Sequence, residues 1–237
     1  MILLLASRTD PLRHLLPAAL EAATPGQPKQ LLTLDPDAPG DLALKLSAGE
    51  GALNGGIRIA GEIHEWSDLK AAWVAGESTP ELGSAWELLL EGLDLARFPV
   101  VGRPQVQKAL ACDSKLDQLA EAAGLGRPDR SWLAADHDQA DPPADQPRPA
   151  PVHSLWRGGN ELHGAAPALR PWIKAVSRFA DSAKLLWGRI ELEPQLAGPP
   201  HVLRVVQEHL PISSLANLAE APRRALMALG EHLSKTR

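Results

Sequence analysis

Apolar and polar positions in the first hundred residues follow a pattern that predicts alternating strands and helices. Residues 2–6 form a continuous apolar run, as expected for a strand covered on both faces. Asp10 and Pro11 then favour a helix start, and apolar residues recur at helical spacing as far as Leu20. Two further strands and a helix are predicted over residues 30–34, 98–101 and 86–95, respectively. This order indicates a parallel sheet with helices on its faces.

Two shorter segments of the same half carry local signals. Residues 56–63 predict one strand of a hairpin, because apolar and polar positions alternate there between glycines. Residues 114–123 predict a helix that Asp113 or Ser114 caps at its start and Gly124 ends.

The composition changes abruptly over residues 136–151. This stretch is acidic, contains five prolines and lacks large apolar side chains. It predicts a linker or an exposed loop, because such a segment has nothing to bury and proline favours extended backbone.

The last third of the chain predicts a second unit. Gly158 and Gly159 interrupt two short apolar segments and indicate a hairpin. A helical stripe precedes residues 186–193, where apolar and polar side chains alternate strictly. Residues 201–206 predict a neighbouring strand, and a final amphipathic helix begins near Pro222.

Charge and composition exclude several classes of protein. The net charge of −5 over 237 residues gives no basic face for nucleic acid. No apolar run approaches the roughly 20 residues of a membrane span, and the first strand is too short for a signal peptide. The only cysteine, Cys112, rules out an intrachain disulfide, which fits a cytoplasmic protein. No zinc-type histidine spacing, nucleophile elbow or dinucleotide-binding glycine motif is present.

The order of elements resembles that of glutathione-synthetase-like ATP-grasp ligases, in particular those that modify ribosomal peptides, such as the microviridin group. The segments that carry the resemblance are residues 99–104, a helix containing Lys115, residues 123–128, residues 156–159, residues 186–191 and residues 202–206. The resemblance implies an α/β fold with an N-terminal pre-ATP-grasp-like parallel sheet and flanking helices. A truncated α+β ATP-grasp-like domain with antiparallel strands would follow. The implied division is 1–104, a linking helix segment 105–135, the proline-rich loop 136–151 and the C-terminal domain 152–237.

The chain departs from this pattern where the family binds nucleotide and metal. The interval that would hold a glycine-rich phosphate lid contains mostly proline and acidic residues. Glu191 matches the first magnesium-binding carboxylate, but Arg204 occupies the second such position and Val206 replaces an asparagine. Because neighbouring antiparallel strands bring side chains together, we expect Arg204 to pair with Glu191 in place of a metal cluster.

These departures predict a catalytically degenerate protein that binds a peptide or a partner enzyme in a peptide-modification system. No catalytic residue, cofactor or metal ligand is assigned, and homodimerisation is left open. The candidate binding surface consists of Trp156, Arg157, Trp187, Arg189, Glu191 and Arg204. The alternative is a minimal ATP- and magnesium-dependent carboxylate–amine ligase that uses Lys115, Glu191 and Glu193. A different chemistry in the pocket left by the nucleotide is a third possibility.

Overall fold

The computed structural model describes residues 1–26, 30–36, 42–49, 52–59, 61–75, 84–128, 151–207 and 215–235. The strands within these ranges are β1 (Ile2–Leu5), β2 (Leu31–Leu34), β3 (Ala43–Gly49), β4 (Ala52–Ile59), β5 (Glu62–Glu65), β6 (Ala71–Val74), β7 (Val100–Val101), β8 (His153–Gly158), β9 (Glu161–His163), β10 (Trp187–Glu193) and β11 (His201–Val206). The helices are α1 (Leu12–Ala23), α2 (Ser84–Leu95), α3 (Pro104–Leu110), α4 (Asp113–Ala123), α5 (Ile173–Ser182) and α6 (Glu220–Lys235).

The N-terminal part is built on a parallel sheet in the order β2-β1-β6-β7. All four residues of β1 are buried, which confirms the strand predicted from its continuous apolar run. The Asp10 carboxylate accepts a hydrogen bond from the Leu12 N–H at 2.9 Å, so this residue supports the start of α1 as expected. The apolar stripe of α1 then packs into one of the protein's buried clusters.

A small antiparallel sheet in the order β3-β4-β5 accompanies α2 on the other side of β1. The single strand predicted over residues 56–63 is wrong, since β4 ends at Ile59 and β5 begins at Glu62 around a turn at Gly61. Gly61 has a φ of +84°, a conformation that glycine adopts without a steric penalty. The apolar alternation therefore spanned a hairpin.

The C-terminal part is an antiparallel sheet in the order β11-β10-β8-β9. The predicted β8-β9 hairpin is confirmed, with its turn at Gly159 and Asn160, because Gly158 still pairs with Glu161. Helices α4 and α5 share a buried cluster with one face of this sheet. Helix α6 packs against α1 and β8, so it joins the two sheets through one apolar cluster.

Helix α4 shows how a local signal was misassigned. It begins at Asp113, and Cys112 occupies the N-cap position without a side-chain cap. Gly124 ends the helix in the left-handed conformation with a φ of +76°, as predicted. The predicted cap at Asp113 or Ser114 is wrong, because both residues already lie within the helix, where the Asp113 carboxylate accepts a hydrogen bond from Arg127 at 3.1 Å.

The proline-rich loop predicted over residues 136–151 lies outside the described residues except for its last position. Among the helices that the structure describes, none is long and apolar enough to cross a membrane.

Candidate functional site

One face of the C-terminal sheet gathers most of the side chains selected from the sequence. Since alternate residues of a strand share a face, Trp187, Arg189 and Glu191 of β10 lie on the same side. The antiparallel register places Trp156 of β8 opposite Arg189, and Arg204 of β11 opposite Glu191. We call these five residues the tryptophan–arginine face.

Glu191 is held by two guanidinium groups within this face. Arg204 Nε donates to Glu191 Oε2 at 2.6 Å, and a second Arg204 nitrogen donates to Oε1 at 3.2 Å. Arg189 approaches the same Oε1 at 3.2 Å. The predicted Glu191–Arg204 pair is therefore confirmed, and Arg189 is an additional member of the cluster.

The electrostatics of this cluster are the reverse of a metal site. Glu191 is buried, with 8% of its surface exposed, while two positive groups occupy both of its oxygens. A divalent cation would have to displace a bidentate arginine and would then lie next to a repelling charge. No group of three or more histidine, cysteine or acidic side chains suited to a metal ion is found within the described ranges.

Three tryptophans fill the space beside this cluster. The ring centroids of Trp187 and Trp156 are 5.5 Å apart, and those of Trp187 and Trp73 are 5.6 Å apart. Trp73 belongs to β6 of the parallel sheet, so the cluster packs the two sheets together. The Arg189 guanidinium lies 6.0 Å above the Trp156 ring, at the outer limit of a cation–π contact. Trp187 is only 2% exposed and acts as core.

The structure does not bring all six residues of the candidate surface together. Arg157 follows Trp156 in β8 and therefore lies on the opposite face. It is 1% exposed, and one Nη donates to Asp181 at 2.5 Å while the other donates to Ser177 Oγ at 3.4 Å. The alternation that the sequence shows in β10 also holds in β8, and it places Trp156 and Arg157 on opposite faces.

Lys115 and Glu193, two residues of the ligase alternative, lie in different surroundings. Lys115 is exposed in the first turn of α4. Glu193 accepts a hydrogen bond from the Gln195 side chain at 3.2 Å and lies 3.7 Å from His201 Nδ1. Glu193 thus has local polar partners on its own sheet.

Arg127 is a contact residue that sequence reasoning missed. Its guanidinium donates to the Val202 and Leu203 carbonyls of β11, the latter at 2.9 Å, and to Asp117 at 2.6 Å. It therefore ties the segment after α4 to the edge strand that carries Arg204. No sequence signal distinguished this arginine, because its carbonyl partners lie some 75 residues away.

A parallel sheet with flanking helices, joined to an antiparallel sheet backed by helices, is the mixed α/β architecture of the ATP-grasp fold. Solved structures confirm this fold over nearly the whole chain. Macrocyclase MdnB from Microcystis aeruginosa MRC matches with a TM-score of 0.61 and 13% identity, over 97% of this chain and 99% of its own. An ATP-grasp ligase associated with RiPPs from Chryseobacterium gregarium, solved with ADP and a leader and core peptide, matches with a TM-score of 0.62 and 10% identity, over 98% and 96%.

A third similar structure is ATP-grasp ligase PsnB complexed with minimal precursor, Mg and ADP. It matches with a TM-score of 0.67 and 11% identity, over 97% of each chain. No protein-family model matches the sequence, and no curated protein matches it. At these identities the likeness establishes the ATP-grasp fold and extends no further.

Proposed function

We propose that this chain is a catalytically degenerate ATP-grasp-like protein that binds a peptide or a partner enzyme in a cytoplasmic peptide-modification system. The observation that carries the proposal is the pairing of Glu191 with both Arg204 and Arg189. In the ligases that the sequence resembles, carboxylates at the positions of Glu191 and Arg204 hold magnesium. Here the arrangement favours an ion-paired sheet surface over a metal site.

Peptide as the partner is supported by the fold. The C. gregarium ligase contains a leader and core peptide, and macrocyclase MdnC from M. aeruginosa was solved with the precursor peptide MdnA. A protein with this fold, in which an arginine replaces one metal-binding carboxylate, would keep the surfaces that bind a peptide. Binding without catalysis is the simplest role consistent with both observations.

The competing function is a minimal ATP- and magnesium-dependent ligase that uses Lys115, Glu191 and Glu193. Calorimetric titration of the purified chain with ATP and magnesium separates the two. We expect no saturable heat at high micromolar ATP, because the metal would oppose two guanidinium groups. Lys115→Ala is the matched control. Saturable binding that this substitution removes would overturn the proposal and establish the ligase as the working function.

The peptide-binding half of the proposal needs its own test. The chain is immobilised and presented with a phage-displayed random peptide library. We expect enrichment of a sequence family whose synthetic members bind in solution. Failure to enrich any family, with no partner enzyme captured by affinity purification from the native host, would contradict the binding role independently of the nucleotide result.

A further inference from the structure

A cavity of about 360 Å³ is lined by Arg157 of β8, whose side chain lies on the opposite face of that strand from Trp156. Four separate segments form it: the stretch around β7, the β8-β9 hairpin, the α5-β10 connection and the end of α6. Its charged and polar lining consists of Arg97, Arg103, Arg157, Asn160, Asp181, Lys184 and His232. Four permanently cationic side chains therefore face one carboxylate.

Arg157 is a buried member of the cavity lining. The residue is 1% exposed, and its Nε is buried with no acceptor among the described residues. Its one carboxylate partner, Asp181, has a side chain that is 59% exposed. A buried guanidinium normally has all its donors satisfied, so Arg157 still has capacity for an acceptor.

Part of the positive charge serves the fold itself. Arg103 donates to the Leu93, Asp94, Ala96 and Phe98 carbonyls at the end of α2, so its charge stabilises that helix terminus. Neither Arg97 nor Lys184 forms an ion pair with any described residue. Arg97, Arg157 and Lys184 together therefore exceed the charge of Asp181.

Lys184 sits in a backbone conformation that glycine would normally fill. Its φ is +53°, and it is the sole non-glycine residue with positive φ among the described residues. Its N–H donates to the Asp181 carbonyl, and the Leu185 N–H donates to the Ala180 carbonyl, as in a left-handed helix end. A lysine here has a conformational cost that glycine would avoid.

The geometry points to this cavity as a binding site for a carboxylate group. Inorganic phosphate has no apolar stem, so it would leave the apolar part of the lining uncovered. Phe98, Pro99, Leu185 and Leu186 supply apolar walls for the stem that bears the carboxylate. That the carboxylate belongs to an acidic peptide side chain rests on the proposed function.

The test compares three probes by calorimetry at low salt: an N-acetylated hexaglutamate amide, succinate and inorganic phosphate. We expect the peptide to bind most tightly and phosphate most weakly. Added salt should weaken the binding of every probe. Binding of succinate but not of the peptide would keep the carboxylate site and reject its peptide source. Phosphate binding as tight as that of either carboxylate probe would overturn the assignment, as would no binding of any probe.

Lys184→Gly locates the site without risking the fold. It removes one cation and relieves the positive-φ cost, so we expect Tm to rise by about 2 °C or more while peptide binding weakens by about fivefold. Lys174→Ala, on the exposed side of α5, removes the same charge elsewhere and should leave binding unchanged. Equal binding by wild type and Lys184→Gly would place any carboxylate site elsewhere and overturn the inference. None of these outcomes depends on whether ATP binds.

Discussion

The two faces of β8 differ in how their charged groups are paired. Trp156 faces a space that two other tryptophans and the Arg189–Glu191–Arg204 cluster occupy. Arg157, the next residue, faces an open cavity in which cations outnumber carboxylates. Each face contains one buried charged residue, Glu191 on the side of Trp156 and Arg157 on the other. The comparison teaches that a face whose carboxylate is paired with cations and packed by aromatic rings contributes stability, whereas a face on which cations outnumber carboxylates is where an anion can gain binding energy.

The largest effect is expected from breaking the packed face at its centre. Trp187→Ala leaves a cavity between Trp73 and Trp156 and should lower the free energy of unfolding by about 3–5 kcal/mol. Urea denaturation measures the loss. Leu196→Ala is the matched control, since Leu196 is fully exposed and its truncation should cost less than about 0.5 kcal/mol. Similar losses for both variants would show that the tryptophan cluster contributes no special packing.

The ion cluster of the same face should show a smaller effect. Glu191→Ala removes the carboxylate that Arg189 and Arg204 share and should cost about 1–3 kcal/mol, below the value for a fully buried pair because Arg204 is 65% exposed. A double-mutant cycle with Arg204→Ala isolates the pair, and its coupling should stay under about 1 kcal/mol. An unchanged urea midpoint in Glu191→Ala would mean that the pair does not support the sheet.

The cavity face should give the smallest effect, through His232. Burial, and then the neighbouring Arg157 charge, lowers the pKa of His232 below its ordinary 6.5. The unfolded chain therefore binds this proton first, so the stabilising contribution is complete above pH 6.5 and is lost as the pH falls below it. His232→Gln should reduce the drop in Tm between pH 7.5 and 5.5 by about 1–2 °C. His14→Gln, on exposed α1 surface, should leave the drop unchanged. Identical pH profiles for His232→Gln and wild type would exclude this contribution.

Local chemistry was sufficient for most elements. The all-buried β1, the Asp10 contact to α1 and the left-handed Gly124 were predictable, because each depends on residues close together in the chain. The wrong predictions also concerned local signals, the helix cap at Asp113 or Ser114 and the single strand over residues 56–63. Asp113 was predicted as a cap but binds Arg127, whose position no sequence pattern indicates. The division into domains and the lid-free interval remain predictions.

The Glu191–Arg204 pair was predictable from sequence because adjacent antiparallel strands bring such positions together by geometry alone. The meeting of Trp73 with Trp187, and the cavity around Arg157, were not. Each combines side chains from segments far apart in the chain, and their contacts depend on how α6 and the two sheets pack against each other. Periodicity assigns a side chain to a face, but only the packing of whole elements decides what that face meets.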